Sequence, residues 1–312
     1  MIVEITEKGR ETNENRNNIY DIHMVRDASI SVCPLPLAGF FTLRFSLAGM
    51  QLKFSAVTET TGGLTIPATG IGGSWIVKLP SVRFPSVPEN EYVMLELART
   101  VGIAVPDARL LTTGDVHGVP LELEPTDPAL AVKRFDRAAA AQRIHSEDFA
   151  QVFALFPDDK YGKASCEDVA RVIAAEAESA EVAEFARRLA FSALIGNGDM
   201  HLKNWSLLYR DGRTATLAPA YDFVSTVPYI THDSMALSLA GTKDWTRISL
   251  DLFSRFAARA GLSERLVLDA VRDVAARFMD AWQHHDVIHR LPSGIRKRIT
   301  EHIRSVPLSE EV

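Results

Sequence analysis

The spacing of hydrophobic and polar positions changes character along this chain. Between residues 40 and 135, short apolar-rich runs such as LKFSAV, SWIVKLP and ALAVKRFDR predict β-strands. One helix interrupts them, because PENEYVMLELARTVG places Tyr92 and Val101 near one face and ends at Gly102. From Ser146 onward the apolar positions recur with a helical period, and Ser146 is the expected N-cap of SEDFAQVFAL. A hairpin, NWSLLYRDGRTATLAPAYD, breaks this helical part at its Asp-Gly turn.

These elements predict an α+β fold with two lobes. Residues 1–39 are expected to form a partly flexible N-terminal segment, and residues 40–135 a small β-rich lobe. Residues 136–312 are expected to form a larger, mainly helical lobe, with the boundary between the lobes near residues 134–145. A chain of 312 residues with 46% hydrophobic content is long enough to bury the core that such a fold needs.

Composition and charge exclude several classes of protein. The formal net charge of −6 argues against a nucleic-acid-binding surface, so no direct DNA binding by this chain is expected. No apolar run reaches the length of a membrane-spanning helix, and the polar first nineteen residues do not read as a secretory signal. The two cysteines, Cys33 and Cys166, have no His or Cys nearby at metal-ligand spacing. A reduced, cytoplasmic protein without membrane association is therefore predicted.

A group of polar residues lies where a predicted helix gives way to the hairpin, in LIGNGDMHLKNWSLLY. Asp199 and Asn204 are five positions apart, and Asp222 follows Asn204 by 18 positions at the far end of the hairpin. Because a tight hairpin returns the chain to its starting point, Asn204 and Asp222 can meet and offer Mg²⁺ two oxygen ligands. Asp199 is then free to act as a base, and Lys203 could steady a transferred phosphoryl group. Protein kinases use this set of groups.

Simpler interpretations of the same residues stay open at this point. The polar turn could only cap the preceding helix, through Asn197 or Gly198. Lys78, in SWIVKLP, could bind phosphates with Glu89 or Glu91 as its partner, or it could be a lysine at the surface of an edge strand. The turn SLAGMQLK could cover the phosphates with its backbone amides, or it could be an ordinary hairpin turn.

The motifs taken together resemble the HipA-like serine/threonine kinases of bacterial toxin–antitoxin systems. The resemblance spans roughly residues 40–230 and rests on FSLAGMQLKFS, IVKLP, ENEYVMLELARTVGIAVPDA, LAVKRFDR, SEDFAQVFAL, DDKYGK, LIGNGDMHLKNWSLLY and LAPAYDFVSTVPY. It implies a two-lobed protein-kinase-like fold that uses ATP and Mg²⁺. Other strings, DMHL and YDFVS, and the short stretch before Ser46 are closer to HipT, the shorter kinase of three-component systems.

The resemblance also implies roles for individual residues. Asp199 corresponds to the catalytic base, with His201 as its companion and Lys203 beside it. Asn204 and Asp222 correspond to the magnesium ligands, and Ser46 to the serine that the family autophosphorylates. The nucleotide-binding residues that it implies are Ala48, Gly49, Met50, Gln51, Lys53, Lys78, Lys133, Phe135 and Tyr221, of which Lys133 and Phe135 would offer backbone groups to adenine.

One departure from the family pattern concerns the serine-containing loop. HipT carries two serines around one intervening residue, whereas this chain has Arg44 where the first would stand and keeps only Ser46. Regulation through two phosphoserines is therefore not expected.

The expected function is that of a toxin kinase. The resemblance implies a protein substrate, for example an aminoacyl-tRNA synthetase. It also implies a DNA-binding HipB-like antitoxin and a small HipS-like partner. Two alternatives stay open: a small-molecule phosphotransferase of the aminoglycoside type, and a non-catalytic module that only docks the antitoxin.

Overall fold

The computed structural model describes residues 51–59, 63–67, 73–119, 123–138, 142–156 and 163–312, all within one compact unit, Ser46–Val312. The predicted strand FFTLRFS, the turn around Gly49 and the motif residues 157–162 lie outside the described residues. Among the described residues, no helix combines the length and the apolar character that crossing a membrane requires.

A six-stranded sheet forms the N-terminal part, with strand order β4-β6-β3-β1-β2-β5. Neighbouring strands are antiparallel except for the short parallel pair β2 and β5. The sequence pattern predicted the longer strands and missed β2 and β5, because two residues are too few for a periodic signal. The strands are β1 (Lys53–Thr58), β2 (Leu64–Thr65), β3 (Trp75–Lys78), β4 (Ala108–Thr112), β5 (Val116–His117) and β6 (Pro128–Lys133).

The predicted N-terminal helix is α1 (Val87–Thr100), which packs against β4 and β6. Pro88 lies in its first turn, where the missing N–H costs no hydrogen bond. The chain leaves the helix through Gly102, whose φ of +87° suits glycine. The helix buries Glu91 as well as its apolar residues, which already suggests that this carboxylate has a partner.

The C-terminal part is mainly helical, as predicted. Its central helix, α4, is buried along most of its length and contacts α3, α6 and α7. A three-stranded sheet in the order β7-β8-β9 contains the predicted hairpin. The helices are α2 (Phe149–Val152), α3 (Cys166–Glu176), α4 (Ser179–Ile195), α5 (Leu250–Ala260), α6 (Glu264–His284) and α7 (Ser293–Ser305). The strands are β7 (His145–Asp148), β8 (Ser206–Tyr209) and β9 (Thr216–Leu217).

The predicted helix SEDFAQVFAL was largely wrong. Ser146 pairs with Leu208 in the sheet, and the helix that follows has only four residues. Its N-cap is Asp148, whose carboxylate accepts a hydrogen bond from the Gln151 N–H at 2.9 Å. Local propensity favoured a helix, but pairing with β8 gives the same backbone groups partners in a sheet.

Two hydrophobic cores hold these elements. The larger joins α1 and β6 to the helical part, so that Met94 and Leu130 belong to the same buried cluster as Phe191 and Phe278. A smaller core lies within the six-stranded sheet, around Val77. Because α1 shares the larger core, the residues that it carries are held at a fixed place beside the helical part.

Candidate active site

The polar turn between α4 and β8 begins with a glycine cap. Gly196 ends α4 with a φ of +66°, and a Cβ there would lie 2.6 Å from the Val227 side chain. Gly196, rather than Asn197 or Gly198, therefore caps the helix. Asn197 has another task, because its Oδ1 accepts a hydrogen bond from the Asp199 N–H at 3.1 Å.

A short 3₁₀ helix, Leu202–Asn204, forms the last part of the polar segment between α4 and β8. The Asn204 amide nitrogen donates to the Asp199 carbonyl at 2.9 Å, which leaves its oxygen as the atom able to bind a cation. His201 Nε2 lies 3.7 Å from Asp199 Oδ1, and all three side chains are buried. The structure thus groups the predicted residues Asp199, His201 and Asn204.

The hairpin returns Asp222 to this turn, as predicted. Its carbonyl oxygen lies 3.5 Å from the Asn197 amide nitrogen, and its side chain lines one small cavity together with Asp199. Asp222 has a φ of +55°, in the left-handed region that few residues other than glycine occupy. Strained backbone of this kind persists where the surrounding structure holds it, and it is frequent at functional sites.

Two lysines from neighbouring strands reach the same carboxylate. Lys53 on β1 is paired in register with Lys78 on β3, so the two side chains point to one face of the sheet. Lys53 Nζ lies 3.2 Å from Asp222 Oδ2, while Lys78 Nζ forms ion pairs with Asp222 Oδ1 and with Glu91 Oε1. Two like charges opposite each other would repel, so the two carboxylates are what make this pairing tolerable.

The protonation states in this cluster follow from burial and neighbouring charge. Burial alone lowers the pKa of Lys78, but the charges of Asp222 and Glu91 outweigh it and raise that pKa above its ordinary value. Burial alone would raise the pKa of Asp222, yet the charges of Lys53 and Lys78 hold that pKa well below its usual range. For Glu91, burial dominates and raises the pKa. Lys78 and Asp222 are therefore charged at neutral pH, and Glu91 is the group in this cluster that most readily takes up a proton.

The donor set fits Mg²⁺. The described residues contain no cluster of three or more His, Cys, Asp or Glu suited to a metal, so a site made of protein carboxylates and imidazoles alone is not present among them. Magnesium instead commonly takes one or two protein oxygens and completes its shell with water and phosphate. The Asp222 carboxylate and the Asn204 amide oxygen are ligands of this type, and Lys53 and Lys78 would have to move from Asp222 before a metal could bind there.

A second, larger cavity of about 260 Å³ opens beside the charged cluster. Ile76, Val132, Phe135 and Tyr221 are among its apolar and aromatic lining residues, and it shares Lys78, Glu91 and Asp222 with the charged cluster. The rings of Phe135 and Tyr221 have centroids 5.4 Å apart, which is a usual aromatic contact distance. A cavity that combines apolar side chains with charged groups can hold a flat base attached to phosphates.

Hydrogen bonds fix Tyr221 in the wall of this cavity. Its hydroxyl lies 2.6 Å from Ser206 Oγ and donates to the Lys203 carbonyl at 2.9 Å. The Lys203 side chain is exposed and lines the cavity. Ser206, Asp148 and Gln151 line it as well, and the sequence reasoning did not identify them because their neighbours there come from other elements.

The predicted adenine-binding segment lies at the end of β6. The Lys133 side chain points away to Asp107, with 3.0 Å between Nζ and Oδ2. Its N–H donates to the Asp107 carbonyl at 2.8 Å, and the Arg134 N–H donates to the Ser74 carbonyl at 2.8 Å. Both donors are used by the sheet, so among the N–H groups of residues 133–135 that of Phe135 is the one with no backbone partner in the described part of the chain.

The predicted phosphate loop is described only from its last residues. Ser46, Ala48, Gly49 and Met50 lie outside the described residues, so their roles stay predictions. Gln51 is buried, and its amide nitrogen donates to the Leu79 carbonyl at 3.0 Å. This bond ties the end of the predicted loop to the end of β3, next to Lys78.

Comparison with known proteins gives a consistent result. Residues 45–282 match the family model for the HipA-like C-terminal domain. A Sinorhizobium fredii protein named "Putative kinase Y4dM" is 50% identical over 273 residues, which cover 86% of this chain and 66% of that protein. A second from the same strain, "Putative kinase Y4mE", is 32% identical over 262 residues, covering 78% and 59% respectively. The chain thus spans less than two thirds of the length of these curated relatives.

A solved structure confirms the fold. The chain is similar to one in the Shewanella oneidensis MR-1 complex of the toxin–antitoxin system HipA, HipB and its operator DNA. The TM-score is 0.68 at 22% identity, and the match covers 85% of this chain and 65% of that chain. The α+β, kinase-like architecture predicted from the sequence is therefore confirmed. The family model covers most of this chain, and the chain belongs to the family of the HipA-like C-terminal domain.

Proposed function

We propose that this protein is an ATP- and Mg²⁺-dependent serine/threonine protein kinase. The observation that supports this most strongly is that Asp199 and Asp222 line one small cavity together with Lys78 and Lys53. A carboxylate base, a carboxylate metal ligand and two cations are the groups that phosphoryl transfer requires. The apolar cavity beside them, lined by Phe135 and Tyr221, is the proposed site of the adenine.

Each residue has a separate task in this proposal. Asp199 accepts the proton of the attacking hydroxyl as the oxygen–phosphorus bond forms and the bond to the leaving ADP oxygen breaks. Lys78 and Lys53, which neutralise Asp222 here, shift to the phosphates and hold their negative charge. Asn204 and Asp222 would hold magnesium, which supplies further neutralisation of the phosphate charge when bound. Glu91 would remain paired with Lys78 after that shift and so would orient its ammonium toward the phosphates.

Two substitutions test this assignment. Asp199→Asn should lower phosphotransfer to a protein substrate by about 10²–10⁴-fold, because it removes a proton acceptor, while ATP binding is retained. Asp222→Ala should instead weaken Mg²⁺-ATP binding, because it removes a charged metal ligand. Radiolabel transfer and calorimetric titration separate the two effects. Near-normal phosphotransfer in both variants would show that the site has been assigned to the wrong residues.

Autophosphorylation at Ser46 is a further part of the proposal and rests on the motif resemblance alone. Intact mass of the wild-type protein and of Asp199→Asn, followed by peptide mapping, would reveal a phosphate that depends on Asp199. Its absence from the wild-type protein would remove this part of the proposal and leave the kinase assignment in place.

We propose a toxin–antitoxin setting for this kinase. The similar solved structure is that of a toxin with HipB and operator DNA, which supports a DNA-binding, HipB-like antitoxin as partner. A HipS-like protein and an aminoacyl-tRNA synthetase target follow only from the motif resemblance, as does closeness to the HipT type. Phosphoproteomics after brief induction of the wild type and of Asp199→Asn would identify the substrate. Loss of growth arrest in the variant would connect toxicity to phosphotransfer.

The buried ion cluster favours catalysis over a module that only docks an antitoxin. A module that only docks an antitoxin has no use for Lys78 buried between Glu91 and Asp222, since buried charges are costly unless they serve a purpose. A small-molecule phosphotransferase would use the same cluster. Transfer of phosphate to an aminoglycoside, with none to protein, would favour that alternative.

A further inference from the structure

Asn90 is a fully buried polar residue of α1 that has no role in the chemistry proposed above. Asparagine is a poor helix former, and burying its amide is costly unless the amide is hydrogen-bonded. Its Nδ2 donates to the Ser225 carbonyl at 2.9 Å, and its Oδ1 accepts from the Ser225 N–H at 3.1 Å. One side chain thus satisfies both backbone groups of a residue 135 positions away.

The two segments joined by this pair of bonds carry the charged cluster. Glu91 directly follows Asn90 in α1, and Asp222 lies three residues before Ser225. Lys78, on β3, forms ion pairs with both carboxylates. The separation of Glu91 and Asp222, and hence the place of the Lys78 ammonium, therefore depends on how α1 sits against the segment after Asp222.

The segment after Asp222 is held from its other side by the turn that contains Asp199. The Thr226 N–H donates to the Gly196 carbonyl at 2.8 Å, and the Thr226 hydroxyl accepts from the Gly198 N–H at 2.7 Å. Residues 222–226 are thus hydrogen-bonded to the turn that contains Asp199, and Asn90 connects them to α1. The hydroxyl of Tyr229 adds a weaker contact, at 3.3 Å from the Asn90 amide nitrogen.

We propose that Asn90 is a positioning residue that sets the geometry of the ion cluster formed by Lys78, Glu91 and Asp222. It does so by binding α1 to the backbone of Ser225. The use of that cluster for Mg²⁺-ATP rests on the proposed function, whereas the effect of Asn90 on Lys78 does not. Loss of the two bonds lets α1 and residues 222–226 move apart, and the Lys78 ammonium becomes accessible.

The test measures how fast an amine-reactive reagent labels Lys78 in the native protein without nucleotide, read by mass spectrometry. Asn90→Leu removes both bonds and should speed labelling about tenfold, because local opening exposes the amine. Tyr229→Phe keeps the Ser225 bonds and should label like the wild type. The control is a variant of Ile299, which lies in the buried face of α7. Of Ile299→Val and Ile299→Ala, the one whose measured melting temperature matches that of Asn90→Leu is used. Labelling of Asn90→Leu no faster than in this matched variant overturns the proposal.

A second measurement separates this inference from the proposed kinase activity. In calorimetric titration with Mg²⁺-ATP, Asn90→Leu should bind about tenfold more weakly than the matched core variant, equivalent to about 1.4 kcal/mol. A wild-type protein that binds no ATP, with the labelling difference intact, refutes the kinase and keeps the positioning role. If the wild-type protein binds ATP and Asn90→Leu shows no labelling difference, the positioning role is refuted and the proposed kinase activity is kept. Should Asn90→Leu fail to fold, Asn90→Asp takes its place, because it keeps the acceptor for the Ser225 N–H and removes the donor to the Ser225 carbonyl. Its Lys78 labelling and ATP affinity are compared with those of a core variant of equal melting temperature.

Discussion

Replacing Lys78 with methionine tests the reasoning about the buried ion cluster most directly. The change removes the ammonium that contacts both Glu91 and Asp222 and keeps an unbranched side chain in its place. Asp222 retains Lys53 at 3.2 Å, so its charge is still partly neutralised. Glu91 has only 1% of its side chain exposed, so it cannot regain its hydration. The unpaired charge therefore falls mainly on Glu91.

The size of the effect can be worked out from these contacts. Removing one partner of a buried ion pair costs about 3–5 kcal/mol of the free energy of unfolding. Lys53 reduces this cost, and so does protonation of Glu91, whose pKa burial already raises. We expect a loss of about 2–4 kcal/mol at pH 8 relative to the wild type. Because a raised pKa lets Glu91 take up a proton more readily at low pH, the loss should be smaller at pH 5.5 than at pH 8.

The direction of this pH dependence follows from linkage. A carboxyl group whose pKa is raised by folding stabilises the folded protein below its unfolded pKa, and this contribution is lost as pH rises through the folded pKa. Removing Lys78 raises the pKa of Glu91 further. The difference in stability between the variant and the wild type should therefore grow as pH increases from 5.5 to 8.

Urea unfolding followed by the fluorescence of the four tryptophans measures this difference at both pH values. The control is Glu91→Gln, alone and combined with Lys78→Met. In the double variant no unpaired charge remains at position 91, so most of the loss and its pH dependence should disappear. A loss that is equal at both pH values and unchanged by Glu91→Gln would show that the buried carboxylate is not its cause.

Three further predictions concern the backbone around the site. Gly198→Ala should lower both melting temperature and phosphotransfer, because its Cβ would lie 2.3 Å from Asp233 Oδ1, and Thr226 and Ser234 hold that carboxylate by hydrogen bonds. Gly294→Ala, in a helix and with nothing within 4 Å, is the control and should lower neither. Thr226→Val removes the hydroxyl that holds the Gly198 N–H, and the rate of phosphotransfer should fall more than ATP affinity does; an equal fall in both would contradict this. Arg134→Pro should lower the free energy of unfolding in urea by about 3 kcal/mol even without nucleotide, because the Arg134 N–H donates to the sheet. A loss of ATP binding without a loss of stability would show instead that this N–H binds adenine.

Several candidate site residues could be proposed from the sequence because their spacing is a local property. Asp199 and Asn204 belong to one short turn, and the hairpin that follows has a recognisable Asp-Gly turn, so the return of Asp222 could be worked out. The sequence alone left Lys78 open between a phosphate-binding lysine and a lysine at the surface of an edge strand. Its partner could only be narrowed to Glu89 or Glu91, because helical spacing does not tell which face of α1 meets the sheet.

Other features depended on contacts between distant residues and could not be seen in the sequence. Asn90 looks like any polar position in a helix until Ser225, 135 residues later, comes to lie against it. The Lys53 side chain reaches Asp222 because β1 and β3 pair in the register that places Lys53 opposite Lys78. The use of the Lys133 and Arg134 N–H groups by the sheet likewise depends on which strands lie on either side of β6.

The sequence by itself determined the α+β class and the longer strands and helices, and it supplied the candidate residues for phosphoryl transfer. These follow from periodicity and residue chemistry, which act over a few neighbouring positions. Only the tertiary structure decided that Lys78 lies buried between Glu91 and Asp222 and that Ser146 pairs with Leu208 rather than capping a helix. The reason is physical: burial and pairing between distant segments change both the pKa of a side chain and the preferred state of a backbone, and no local pattern specifies them.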